Sequence, residues 1–99
     1  MTLIDDRMAD GSRHFASLPE IFPWEALRDY IETLPDAIIL AYITDHITEF
    51  WIDFTFRDYK MSINNPLGDL WFFVTDPDCP DSILSDIISH CEKIVPSRY

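Results

Sequence analysis

The 99-residue chain holds two glycines, two cysteines and seven basic residues. Each scarcity excludes something. With only Gly11 and Gly68, no glycine-rich phosphate cradle or dinucleotide fingerprint can be assembled. Gly-x-Ser-x-Gly, Cys-x-x-Cys and His-Glu-x-x-His patterns are absent as well. Seven Lys and Arg against 18 Asp and Glu leave a net charge of −11. Nucleic-acid binding draws on counterion release by clustered cations, so no nucleic-acid partner is expected. The same acidic field favours a basic partner and speeds its encounter at low salt.

Long apolar runs are also missing. The stretch Ala37 to Ile43 falls well short of the ~20 residues of a membrane helix. The segment Met1–Asp6 is acidic and lacks the basic-then-apolar pattern of an export signal, so a cytoplasmic location is expected. Cys79 and Cys91 lie 12 positions apart. On helical geometry that is roughly 18 Å, whereas a disulfide needs Cα atoms within about 7 Å. Two free thiols are expected, as suits a reducing compartment.

What the chain does have is apolar and aromatic material, at 47% and 14%. That is enough for one core, and a chain of this length buries roughly 60–65% of its unfolded surface. Residues 1–18 mix polar and apolar types without a clear period and read as a flexible or loosely docked arm. Residues 19–99 read as a single α+β domain.

Within that domain the periods are legible. Trp24, Leu27, Tyr30, Ile31 and Leu34 recur at helical spacing between Pro23 and Pro35, giving a helix at about 23–34. Ala37 to Thr44 is rich in branched residues and reads as a strand. From Thr48 to Arg57 the alternation is strict, with Phe50, Ile52, Phe54 and Phe56 on one face and Glu49, Trp51, Asp53 and Thr55 on the other. Arg57-Asp58 fits a tight hairpin turn despite the missing glycine. Tyr59, Met61 and Ile63 then alternate with Lys60, Ser62 and Asn64, and Asp69 to Thr75 forms a fourth strand. Asp78 is a candidate N-cap and Pro80 a first-turn residue for a last helix, whose apolar stripe runs from Ile83 through Ile87, Ile88 and Cys91 to Val95. The expected architecture is a two-layer α-β-β-β-β-α fold: an antiparallel four-stranded meander with two helices on one face.

Helices on one face leave the other face open. There the pattern gathers Glu49, Trp51 and Asp53 from one strand with Trp71 and Phe73 from another. Aromatic rings among carboxylates on an open sheet mark an interaction surface.

The residue types that carry chemistry each have a structural explanation. Cys79 precedes a helix, where the dipole lowers a thiol pKa, but Asp76, Asp78 and Asp81 surround it and oppose that effect. His14, His46 and His90 fall in the arm, a turn and a helix end. Asp76-x-Asp78-x-x-Asp81 fails as a calcium loop, which needs glycine at its sixth position and glutamate at its twelfth, where Asp81 and Ile87 stand. No catalytic, cofactor-binding or metal-binding residue is expected.

The leading reading is therefore a small acidic, non-catalytic protein-binding module, in concrete form an inhibitor or immunity-type protein for a basic partner. One alternative is a small ligand-binding domain or enzyme with a site assembled across the fold, for which Asp45, His46 and Cys79 are the residues to inspect. Another is a homodimer of uncharacterised role.

Overall fold

The computed structural model describes residues 3–19, 23–45, 49–65 and 68–93. Among them lie six strands and two helices: β1 (Asp6–Arg7), β2 (Arg13–Pro19), α1 (Trp24–Glu32), β3 (Ala37–Thr44), β4 (Phe50–Phe56), β5 (Tyr59–Asn64), β6 (Asp69–Val74) and α2 (Asp81–Glu92). All pairings are antiparallel, in the order β1-β2-β6-β5-β4-β3. The α+β class with an antiparallel sheet and two helices matches expectation.

The sheet itself is larger than the expected four strands. The extra two come from the segment read as an arm, where β2 pairs along β6 from Arg13↔Val74 to Pro19↔Asp69. Two features hide this strand in the sequence. A register shift between His14 and Ala16 breaks its alternation, and the inward-facing residue that opens it is an arginine. β1 and β2 are joined by a turn in which Gly11, at φ +90°, supplies the left-handed residue. Asp10 Oδ1 accepts from the Ser12 amide at 2.9 Å and from its hydroxyl at 2.7 Å, which lowers the Asp10 pKa.

Apart from Arg13 of β2 and Thr44 at the end of β3, the inner face is built from apolar and aromatic side chains. Phe50, Ile52, Phe54 and Phe56 of β4, Met61 and Ile63 of β5, Leu70, Phe72 and Val74 of β6, and Ala16 and Leu18 of β2 are all buried. Leu27 and Ile31 of α1 and Leu84, Ile87, Ile88 and Cys91 of α2 join the same cluster. Each such fully buried large side chain contributes about 1.5–3 kcal/mol, so the fold is stabilised from this side. Trp24 stacks on Phe50 with ring centroids 5.1 Å apart, fixing the start of α1 against β4. At the other end of α1, Tyr30 stacks on His90 of α2 at 4.3 Å, and His90 Nε2 also meets the Tyr30 carbonyl oxygen at 3.0 Å.

Local details refine the sequence reading. Arg57 and Asp58 do form the β4–β5 turn, with φ of 51° and 70°, the two positive values a type I′ hairpin requires. Pro80, not Asp78, occupies the N-cap position of α2, and no side chain caps it. The Asp78 amide instead donates to Asp76 Oδ1 at 2.9 Å, because Pro77 and Pro80 hold the approach in a tight turn before the helix begins. His46, Thr48, Ile94, Val95 and Pro96 lie outside the described residues. No helix of the described residues is long and apolar enough to cross a membrane.

Candidate functional site

Among the described residues no helix lies on the outer face of the sheet, and the strand register sets what that face displays. One row across it runs Ile43, Trp51, Asn64, Trp71, Ser17. The next runs Ala41, Asp53, Ser62, Phe73, His14. Period-two geometry puts Trp51 and Asp53 on this face together, two residues apart on β4. The Trp51 indole N–H donates to Asp53 Oδ1, and the Ser62 hydroxyl donates to the same oxygen at 2.8 Å. The carboxylate thereby fixes the ring, which remains 41% exposed.

Trp51, Asp53 and Phe73 line one depression of about 580 Å³. Lys60, Ser62 and Thr75 line it too, together with Met8, Ala9, Asp10 and Ser12 of the β1–β2 turn. The site thus combines apolar walls from Trp51, Phe73 and Met8 with two carboxylates, Asp10 and Asp53, and one ammonium group, Lys60.

The other two expected residues are placed differently. Trp71 is half-buried, because His14 of β2 stacks on its indole at 4.6 Å. Glu49 is exposed just before β4, where its amide donates to Asp45 Oδ1 at 3.0 Å. It borders two smaller hollows beside Trp51, of about 340 and 120 Å³. The structure therefore brings together Trp51, Asp53 and Phe73, keeps Trp71 beneath a histidine, and sets Glu49 to one side.

Sequence reasoning missed Met8, Asp10, Lys60 and Ser62. For Lys60 and Ser62 a signal existed, since they alternate with Tyr59 and Met61 and must share a face with Asp53. For Met8 and Asp10 there was none, because their position depends on β2 joining the sheet.

The groups capable of chemistry are occupied elsewhere. Cys79 is buried, and burial together with the Asp76 carboxylate pushes its thiol up to about 11. Cys91 is buried in the core, which pushes it up to about 12. At neutral pH both are thiols, and the thiolate is the nucleophile. His14 Nε2 sits 3.0 Å from the Ala16 carbonyl oxygen and 3.1 Å from Ser17 Oγ. Asp45 Oδ1 accepts from the Glu49 amide. Among the described residues no group of three or more His, Cys, Asp or Glu side chains could hold a metal ion.

No family model matches this chain, and neither a curated protein nor a solved structure matches it significantly.

Proposed function

We propose that this protein is a non-catalytic binding module that takes a basic protein partner on the outer face of its sheet. The observation that carries this reading is the pair Trp51 and Asp53: an exposed indole oriented by a carboxylate at the edge of an open depression. A partner's arginine or lysine would lie against Trp51 and Phe73 by cation–π contact and reach Asp53 and Asp10 with its charge. The net charge of −11 would steer such a partner in. A concrete form is an inhibitor that occupies the phosphate-binding groove of a basic enzyme. Two buried free thiols suit the cytoplasm as its place of work.

A second reading rests on volume. About 580 Å³ lies within the range of small-molecule pockets. A small ligand carrying a cationic group would use the same Trp51, Phe73 and Asp53.

Titration with an arginine-rich peptide, followed by tryptophan emission and calorimetry, tests the proposal against a glutamine-substituted control peptide. Saturable binding of the arginine peptide is expected, weakening as salt is added. Trp51→Ala and Asp53→Asn should each weaken it about 5- to 30-fold, the equivalent of about 1–2 kcal/mol. Equal binding by both variants would mean that bulk charge alone attracts the peptide, and the proposed site would fall.

A further inference from the structure

The two edges of the sheet are built differently. β1 ends one side with two residues, both charged, and Arg7 pairs there with Asp5 at 2.9 Å. A short charged edge is a common protection against strand-to-strand association. β3 ends the other side with eight residues, Ala37–Thr44, and none of them is Asp, Glu, Lys, Arg, Pro or Gly. Ile38, Leu40 and Ile43 project from it at 64%, 53% and 62% exposure. Exposed apolar surface gathered in this way marks an interaction site.

The facing pattern of β3 fits a second copy of the same strand. Register shifts between Ile39 and Ala41, so Leu40 is an inserted residue. Ala37, Ile39, Tyr42 and Thr44 pair with inward Phe56, Phe54, Ile52 and Phe50. Ile38, Ala41 and Ile43 pair with outward Thr55, Asp53 and Trp51. With exposed Leu40 counted outward, the pattern is symmetric about the midpoint between Leu40 and Ala41. An antiparallel copy turned about that point sets Ala37 against Thr44, Ile38 against Ile43, Ile39 against Tyr42, and Leu40 against Ala41. Every inward residue then meets an inward one, and every outward residue an outward one. A strictly alternating strand could not do this at that register, since its two ends would face opposite sides.

We infer that β3 is a homodimer interface, pairing with β3 of a second copy to form one continuous sheet across a twofold axis. Two chains of net charge −11 repel, but no residue of β3 itself is charged. The carboxylates near the seam are Asp36 and Asp45 at its ends and Glu25 and Asp29 of α1, which act on Tyr42. Arg57 Nε lies 3.5 Å from Asp36, and the Arg28 guanidinium lies over the Tyr42 ring at 4.9 Å. The pairing would cover an eight-residue edge and its projecting aliphatic side chains on both copies, and a stable dimer needs about 1,000 Å² in all. The outer-face depression stays open in this arrangement, so dimerisation does not depend on the binding reading above.

Sedimentation velocity of the full chain across the micromolar range is the test. The expected mass is twice the 11.6 kDa of one chain, with dimer favoured by added salt as the repulsion is screened. Ile38→Lys and Ile43→Lys should each give a folded monomer by circular dichroism, while Trp51→Ala should stay dimeric. The register has its own readout: Ile38→Cys mixed with Ile43→Cys should cross-link on oxidation, and neither should do so alone. A single-chain mass at every concentration would overturn the inference. So would a dimer that survives both lysine variants, or one that salt dissociates. Salt has the opposite expected effect on the basic-partner complex, so failure of one reading is not failure of the other.

Discussion

The imidazole of His14 lies nearly flat on the indole of Trp71, with centroids 4.6 Å apart and planes inclined by 18°. Phe73 flanks the same imidazole at 5.1 Å. This contact ties β2 to β6 across the outer face, while Asn64 of β5 lies between Trp71 and the open Trp51. Truncating the histidine should expose the indole and remove the hydrogen bonds at Nε2. His14→Ala is expected to shift tryptophan emission to the red and to cost about 1–2 kcal/mol in urea unfolding. An unshifted spectrum would show that Trp71 is covered by something else.

How much of this was legible depends on where each signal lies along the chain. β4 was plain because Phe50, Ile52, Phe54 and Phe56 alternate with polar partners and bury completely or nearly so. Trp51 and Asp53 came with it, since their face follows from parity alone. β2 was not legible, because Arg13 and His14 are polar yet buried and Phe15 disrupts the period at the register shift. What could not be read from β6 was the cover over Trp71, which arrives from a strand some 57 positions earlier in the chain. The bulge in β3 was equally silent, since Ile39-Leu40-Ala41 reads as three ordinary apolar residues.

Arg13 shows what β2 contributes to stability. Its buried guanidinium donates through Nε to the Ile4 carbonyl at 2.9 Å and through Nη1 to Asp81 Oδ1 at 3.0 Å. It therefore joins β2 to the first turn of α2, 68 positions away. The two partners are unequal, because the Asp81 side chain is mostly exposed while that of Arg13 is not. Arg13→Ala should cost about 2–3 kcal/mol, since it removes the buried partner of a carbonyl and leaves a void. Asp81→Asn should cost less, about 1 kcal/mol, because the amide oxygen can still accept from Nη1 and Asp5 Oδ1 lies 3.4 Å from Arg13 Nε. Urea midpoints of the two variants decide it, and equal losses would contradict the asymmetry.

The β4–β5 turn holds two L-residues at positive φ, a conformation that costs about 1–2 kcal/mol per ordinary residue and less for aspartate. Asp58→Gly should therefore raise stability by about 0.5 kcal/mol after the entropy cost of glycine. Arg57→Gly should not. Arg57 bonds to Asp86 of α2, approaches Asp36 at 3.5 Å and lies over the Phe56 ring at 4.7 Å. Losing these contacts offsets the relief of strain. Thermal melts of the two variants should separate, with only Asp58→Gly moving upward.

The two buried thiols make the fold lose stability as the pH turns alkaline. Burial raises Cys79 to about 11, with Asp76 adding to the shift and Arg13 opposing it. Burial raises Cys91 to about 12, and Glu92 adds to it. In the unfolded chain both ionise near about 8.5. Above that pH the unfolded state holds fewer protons than the folded one, so stability must fall as pH rises. The decline starts near the unfolded value and ends only when the folded thiols ionise, at about 11 to 12. Each thiol contributes a slope of up to about 1.4 kcal/mol per pH unit within that window. Burial also raises Tyr42, so the thiols are not the only groups that contribute. The informative comparison is therefore urea unfolding of the wild type against Cys79→Ala and Cys91→Ala, from about pH 8 to 10 under reductant. Each variant should show a flatter decline than the wild type, whatever its starting stability. Iodoacetamide labelling gives an independent reading. Near neutral pH the folded protein should resist modification, and urea should release both thiols together. Rapid labelling of Cys79 in the folded state would show its thiolate to be accessible and would reopen it as a nucleophile.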